Sequence, residues 1–252
     1  MRVFNNKLWL IIILMIFAGC RKDQWNDCFQ GTGKEETLTL NLEPFTKLLV
    51  GDKFDVYLIQ DTSQPEQAKI TGGKNIIGQI ITRVKDGQLT IENKNTCNFV
   101  RSYDRKIKIE IRVKFLNDIE IFSATNLTSL DTLHFEKSNY LKLKNYGLGN
   151  INLKLKLGFL DVQSTNSGNI FLEGFSNILT CSIEEVTQLD ARKLACHDCY
   201  MASHTALDCF VNPEKVLFAH LFNSGNVYYV SEPSDKKEVT IKKGVKGQLL
   251  IL

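Results

Sequence analysis

Apolar and polar residues alternate with a period of two over several stretches of the first 115 residues, most clearly at 38–42, 54–58 and 107–113. Such alternation is typical of a β-strand that buries one face. Asp86-Gly87 separates two apolar runs, which is a strong hairpin signal. We therefore predict that residues 37–115 form a leading set of β-strands in an N-terminal antiparallel β region.

After residue 116 the pattern changes from long alternating runs to short apolar pairs that return about every nineteen residues. A Gly-Asn-aliphatic triplet begins at Gly149, Gly168 and Gly225; its first spacing is nineteen residues and its second is three times nineteen. A fixed period of this length is the signature of stacked repeats. A second apolar series, offset within the same period, implies at least two short strands per rung. Residues 116–252 are therefore expected to form the rungs of an all-β solenoid.

The repeated triplets also predict local features of each rung. Glycine is expected to supply a positive φ at a tight corner. Asn150 is expected to lie over Asn169 in a ladder of side-chain amides, which Gln188 would extend. Residues 183–194 have a composition compatible with a helix, but the nineteen-residue period runs through them, which favours strand.

The N-terminus has the pattern of a targeting segment. Arg2 and Lys7 precede an apolar run at 8–18, which is too short to span a bilayer but fits the apolar part of a signal peptide. The run ends in small residues before Cys20, as in the processing box of bacterial lipoproteins. We predict a lipoprotein signal peptide at 1–19, lipid attachment at Cys20, a tether at 20–36 and one β-solenoid domain at 37–252. An ordinary secretory signal followed by a coincidental cysteine is the alternative.

Composition narrows the class of partner. The chain has 252 residues, with 43% hydrophobic and 23% charged residues, which is ordinary for a globular protein. Its formal net charge is +3, and two of these charges belong to the signal peptide. A mature chain this close to neutrality gives no electrostatic reason to expect a nucleic acid as partner. The expected membrane contact is the lipid on Cys20, and the expected location is the outer membrane, on its periplasmic or its cell-surface side.

Six cysteines remain after Cys20. Cys28 and Cys97 lie in the N-terminal half and are a candidate disulfide, since an exported protein meets an oxidising compartment. The other four form a cluster in the sequence: Cys181, Cys196, Cys199 and Cys209. Three interpretations of this cluster stay open: thiols packed in the repeat core, some of them bonded across rungs; a metal site; or a redox-active Cys-x-x-Cys. Packing in the core is favoured.

No catalytic motif is present: the sequence contains no nucleophile elbow, zinc-protease helix, phosphate loop or dinucleotide fingerprint. We predict no catalytic residue, no metal and no cofactor. Solenoids that cleave polysaccharides need carboxylates that converge on one groove. The candidates are four aspartates that each follow a leucine, and separate outward positions are expected for them: Asp131, Asp161, Asp190 and Asp208.

These features together resemble a family of bacterial exported proteins, the putative auto-transporter adhesin, head GIN domain family. The resemblance covers about 38–252. It rests on Phe45, the strand Phe54–Leu58, the hairpin Asp86–Ile91 and the Gly-Asn-Ile triplets. The resemblance implies a right-handed parallel β-helix. It also fits the predicted lipid attachment, since many members of the family are lipoproteins. The cysteine-rich rungs depart from the family pattern, so an irregular turn is expected there.

The function expected from this fold is a lipid-anchored, non-enzymatic binding or structural module of the cell envelope. Its ligand would be a glycan or a protein. Aromatic residues that could line a binding face are assigned by default to the core: Tyr146, Phe171, Phe222, Tyr228 and Tyr229. The alternative function is a carbohydrate-active enzyme, a lyase or a hydrolase, on the same fold.

Overall fold

The computed structural model describes residues 31–95, 106–135 and 139–252. The predicted signal peptide, Cys20 and the Cys28–Cys97 pair lie outside these residues, so those three predictions remain untested. Within the described ranges, no helix has the length and the apolar character that crossing a membrane requires.

The described chain is nearly all β-structure. Its seventeen strands are β1 (Glu35–Asn41), β2 (Lys47–Val50), β3 (Asp55–Gln60), β4 (Gln67–Gly73), β5 (Ile80–Lys85), β6 (Gln88–Asn93), β7 (Lys108–Val113), β8 (Asp118–Ile121), β9 (Asn126–Ser129), β10 (Leu133–His134), β11 (Tyr140–Asn145), β12 (Ile151–Ser164), β13 (Ser167–Thr205), β14 (Cys209–Leu221), β15 (Val227–Tyr229), β16 (Lys236–Ile241) and β17 (Leu249–Ile251). One short helix, α1 (Lys74–Ile77), follows β4. The alternating stretches of the sequence are thus strands, as predicted.

The N-terminal region contains both kinds of strand pairing. β1 pairs with β4, β4 with β7 and β5 with β6, all antiparallel. Asp86 and Gly87 connect β5 to β6 with φ values of 50° and 73°, as the Asp-Gly hairpin signal predicts. β2 instead lies parallel to β6 and β8, and β3 lies parallel to β7 and β9. Parallel stacking therefore already starts at β2, and the N-terminal sheet is mixed.

The rest of the chain coils into a β-solenoid of about seven turns. Two stacked parallel sheets carry most of it. The first face consists, in stacking order, of β2, β8, β11, the segments 159–164, 178–183, 198–203 and 216–221, and finally β16. The second face consists of β3, β9, β15 and β17 with 151–157, 170–176, 189–196 and 209–213. The long strands β12 and β13 bend from one face to the other.

The core is built from columns of aliphatic side chains that stack from rung to rung. On the first face, Ile119, Leu143, Val162 and Cys181 are paired in register and buried. Stacking of this kind buries a face that a single rung leaves exposed, which explains why the repeats must be contiguous. Residues 183–194 lie within β13, so the strand assignment is confirmed and the helix is excluded.

The repeated glycines have a different role from the predicted one. None of the three triplet glycines has a positive φ. A Cβ on Gly149 would lie 1.8 Å from the carbonyl oxygen of Thr125 in the preceding rung. A Cβ on Gly168 would lie 2.5 Å from the carbonyl oxygen of Gly149. Glycine is required because neighbouring rungs approach each other too closely for any side chain.

The asparagines that follow these glycines form a hydrogen-bond ladder. Asn126 Oδ1 accepts the backbone N–H of Asn150 at 3.0 Å, and Asn150 Oδ1 accepts that of Asn169 at 3.2 Å. The ladder resumes near the C-terminus, where Asp208 Oδ1 accepts the N–H of Asn226 at 2.9 Å. Among the described residues, no side-chain bond of Gln188 joins the two halves. The ladder thus runs from side-chain oxygen to backbone N–H, and its predicted extension through Gln188 is wrong.

The cysteine-rich rungs are irregular, as expected. Asp190 pairs with Phe210 but Ala195 pairs with Asn212, so the chain advances five residues on one strand and two on the other. Cys209, rather than Leu207, takes the core position opposite Val227. Leu207 is 39% exposed. Cys209 therefore keeps the repeat in register. The four residues 191–194 lie opposite the single residue Val211 and form a bulge with three extra residues.

Candidate binding groove

A groove of about 730 Å³ lies on the second face. Its floor follows the outward residues of successive rungs, with Thr128, Asn152 and Phe171 paired in register and Asp190 one rung further. The remaining wall is formed by Ser129, Leu153, Lys154, Leu172, Glu173, Arg192 and Lys193. Adjacent strands lie about 4.8 Å apart, so the four floor residues span roughly 14 Å along the solenoid. The volume falls in the range of small-molecule sites.

Phe171 is the aromatic residue of this groove. It follows the buried Ile170 on an alternating strand, so its side chain points outward, and it is 39% exposed. The default assignment to the core is therefore wrong for Phe171 and for the equally exposed Phe222. Tyr146 and Tyr228 are partly buried on the surface, and only Tyr229 of the five predicted aromatics packs in the core, with 5% exposure.

Other surface aromatics stack from rung to rung and so present their edges outward. Phe210 and Tyr228 stack with ring centroids 5.2 Å apart on the second face. Tyr200 stacks on Phe218 at 5.5 Å on the first face. No ring contact involves Phe171 in the described part of the chain. Its ring therefore has a face that a ligand can cover.

A clamped guanidinium closes one end of the groove. Arg192 Nε donates to Asp190 Oδ1 at 2.9 Å, and Nη2 donates to Oδ2 of the same carboxylate. The guanidinium carbon lies 4.5 Å from the ring centroid of Phe210. The hydrogen bond from Arg192 is the main cause that lowers the pKa of Asp190 below its ordinary value. Carboxylate and ring together fix the direction of the Arg192 side chain before any ligand arrives.

Charged side chains also line the middle of the groove. Lys154 and Glu173 are exposed and lie opposite each other in adjacent strands. Lys193 is exposed next to Arg192. None of these residues was singled out from the sequence. The one available signal was the irregular spacing between Leu189 and Val227, which marks the rungs that contain the bulge.

The predicted cysteine cluster is buried in the core and does not reach the groove. Cys181, Cys196, Cys199 and Cys209 are all free thiols. A hydrogen bond with Cys196 and burial raise the pKa of Cys199 well above its ordinary value, and burial raises the pKa of Cys209 to about 12. Burial likewise raises the pKa of Cys181. These thiols pack as small apolar side chains within one part of the core.

The carboxylates of the chain do not converge. Asp161 lies on the first face, Asp190 in the groove and Asp208 at the corner of the ladder, while Asp131 is exposed after β9. The groove contains two carboxylates, Glu173 and Asp190. A glycosidase needs a general acid whose pKa is raised, and that of Asp190 is lowered. In the described ranges, no three His, Cys, Asp or Glu side chains are grouped so as to hold a metal ion.

The sequence profile of the putative auto-transporter adhesin, head GIN domain, matches residues 44–233. This chain belongs to that head GIN family. The family resemblance noted from the triplets and the leading strands is thereby confirmed. The head GIN match includes every residue of the groove.

Solved structures support the fold. A putative adhesin from Bacteroides fragilis NCTC 9343 is 23% identical, has a TM-score of 0.80, and aligns over 88% of this chain and 100% of that one. A putative adhesin from Parabacteroides merdae ATCC 43184 is 18% identical, with a TM-score of 0.65 over 88% and 98% of the two chains. A putative lipid binding protein from Parabacteroides distasonis ATCC 8503 is 16% identical, with a TM-score of 0.64 over 87% and 97%.

At these identities the three structures establish a shared architecture for the head GIN chain and nothing about its ligand. None of the three is described as an enzyme. No curated protein matches the chain.

Proposed function

We propose that this protein is a non-enzymatic, adhesin-like binding module of the cell envelope that holds a segment of glycan in its groove. The observation that carries this proposal is Phe171, an unstacked and exposed ring in a concave site whose other lining residues, apart from Leu153 and Leu172, carry amide, hydroxyl or charged groups. Sugar rings combine an apolar face with a rim of hydroxyls. An aromatic face with convergent polar groups is the matching surface.

The groove also suits an elongated ligand. Its floor crosses four rungs, and it lies on the flank of the solenoid. A chain molecule can therefore enter and leave without threading through the fold. Membership of an adhesin family supports a place at the cell surface or in the envelope, where glycans are abundant.

The same proposal includes attachment to the outer membrane by a lipid on Cys20. Its support is the basic, apolar and small-residue order of the first twenty residues. Acyl chains on this cysteine would anchor the domain stably, since each buried CH₂ contributes about 0.8 kcal/mol. Metabolic labelling with an alkynyl fatty acid should mark the wild-type chain and leave Cys20→Ser unlabelled. Equal labelling of both would refute the anchor and leave the groove proposal intact.

The binding proposal is tested with the purified full chain in mild detergent on a glycan array, followed by titration of the best ligand. Phe171→Ala should weaken binding at least tenfold, because it removes about 1.4 kcal/mol or more of ring contact. Phe222→Ala is the matched control, since Phe222 is also 39% exposed but lies at the edge of the first face.

Two outcomes would refute the proposed role of the groove in glycan binding. If Phe171→Ala binds like wild type, the groove is not the binding site. If no glycan binds at all, the module is structural or has a protein partner.

A further inference from the structure

The bulge at 191–194 gives the groove a pair of adjacent cations on the same side of the strand. In a regular strand, consecutive side chains point to opposite faces. Between Asp190 and Ala195 the register slips by three residues, and both Arg192 and Lys193 are exposed and line the groove. Bulges commonly redirect side chains in this way beside functional sites.

Arg192 keeps hydrogen-bonding capacity for a ligand. Asp190 accepts from Nε and Nη2, and the described residues provide no acceptor for Nη1. The Asp190 contact and the Phe210 ring hold the guanidinium in place, so little conformational entropy is lost when a ligand binds. A guanidinium fixed in this manner favours planar oxyanions such as a carboxylate.

The charges that remain in the groove are mainly positive. The charge of Asp190 is balanced by that of Arg192. The remaining charged residues of the groove are two lysines, Lys154 and Lys193, and one carboxylate, Glu173. In the described part of the chain, neither of these lysines forms an ion pair within 4.0 Å. An anionic ligand would therefore meet Arg192 and Lys193 at one end of the groove and Lys154 nearer its middle.

We propose that the groove is selective for an acidic glycan, whose anionic group docks against Arg192 and Lys193 while a neighbouring sugar ring covers Phe171. This inference rests on the proposed glycan-binding function and specifies its ligand class. The anionic group is a carboxylate or a sulfate, and the experiment distinguishes the two.

The test uses the full chain on an array in which each acidic oligosaccharide is paired with its carboxyl-reduced or desulfated counterpart, with inorganic polyphosphate as a sugar-free polyanion. We expect the acidic members to bind at least tenfold more tightly than their counterparts. Binding should weaken as salt rises, because the lysines are exposed. If carboxyl reduction of the oligosaccharide weakens binding more than desulfation does, the recognised anion is a carboxylate; if desulfation weakens it more, the anion is a sulfate.

Variants locate the effect. Lys193→Gln should lose roughly ten- to a hundredfold in affinity for acidic members, the usual size for a charge-assisted hydrogen bond, and nothing for neutral ones. Arg192→Lys should lose part of the preference because the fork geometry is lost. Lys156→Gln is the control, an exposed lysine of the same strand as Lys154 that does not line the groove. Thermal unfolding verifies that each variant is folded.

Equal binding of acidic and neutral pairs, with sensitivity to Phe171→Ala, would overturn this inference and leave the proposed function standing. Polyphosphate binding that matches the glycans and ignores Phe171→Ala would also overturn it, by showing a non-specific charge effect. Absence of binding to every glycan would refute both proposals together.

Discussion

Replacing Gly149 by alanine should destabilise the solenoid severely. The new Cβ would lie 1.8 Å from the carbonyl oxygen of Thr125 and 2.3 Å from its carbonyl carbon. Cβ atoms essentially never come closer than 3.0 Å to such an atom, so the two rungs must separate by more than 1 Å. Both contacting groups are backbone, so no side chain can rotate to relieve the overlap. The two rungs can separate only if the backbone hydrogen bonds that join their strands are stretched.

The expected cost follows from what is lost. Overpacking in a tight site costs about 1–3 kcal/mol. Weakening one or two inter-rung hydrogen bonds adds about 0.5–1.5 kcal/mol each. A total of about 1.5–6 kcal/mol is expected. For a chain of this size each kcal/mol shifts the melting temperature by about 2–4 °C, which gives a decrease of roughly 3–24 °C.

Thermal unfolding followed by circular dichroism provides the measurement, and other glycines provide a graded series. The distances from an added Cβ to the nearest carbonyl oxygen predict that Gly149→Ala is worse than Gly225→Ala, at 2.1 Å, and that Gly168→Ala, at 2.5 Å, is milder than both. Gly78 is the control: its φ is −67°, and no atom lies within 4 Å of an added Cβ. Gly78→Ala should leave the melting temperature unchanged or slightly raised. A melting temperature for Gly149→Ala equal to that of Gly78→Ala would refute the close-approach explanation.

Three further predictions concern the ladder, the thiols and an ion pair. Asn126→Ala should lose roughly 1–3 kcal/mol of unfolding free energy in denaturant titrations. The reason is that Asn126 donates a hydrogen bond to Asp55 and accepts one from the N–H of Asn150. Asn152→Ala, at an exposed position, is the control and should lose almost nothing. Iodoacetamide at pH 8 should leave Cys209 unlabelled in the native protein and should label it after denaturation, which peptide mapping can follow. The reason is that a pKa of about 12 leaves about one thiol in ten thousand as thiolate at pH 8. Rapid labelling of the native protein would contradict this. Lys144 contacts Asp118 and Glu120, and the Glu120 hydrogen bond raises its pKa. Because the folded value is the higher one, the stabilisation is complete below the unfolded pKa of 10.5 and is lost as pH rises through the folded pKa. The stability advantage of wild type over Lys144→Met should therefore shrink above about pH 10.5, and a constant difference would argue against the pair.

Sequence patterns predicted the fold well where one physical cause dominates. Period-two alternation fixes which side of a strand is buried, so β3 and β7 could be placed from the sequence alone. The hairpin at Asp86-Gly87 followed from its need for two positive φ values. The nineteen-residue period outweighed local helix propensity at 183–194, because stacking on both neighbouring rungs stabilises a strand there more than an isolated helix of about three turns would be stabilised.

The failures arise where one residue type serves two purposes. Glycine permits both a positive φ and a close approach, and the sequence does not say which of these Gly149 provides. Phe171 was assigned to the core by default, although its position after Ile170 on an alternating strand places it outside. The groove itself depends on the bulge residues 191–194, three more than the strand opposite supplies. Nothing in their identities marks a bulge, so the pairing of Arg192 with Asp190 required the structure.

The close rung contact at the Gly-Asn corner has a consequence for how this protein can change over generations. A carbonyl that touches the next Cα leaves no room for an added residue, so this corner tolerates only the gain or loss of a whole rung. The bulge at 191–194 shows that the strand after this corner, on the second face, absorbs three extra residues while Cys209 and Val227 stay in register. Small insertions are therefore accommodated in the wall of the groove. Such an insertion would change the shape and charge of the groove while the scaffold stays the same.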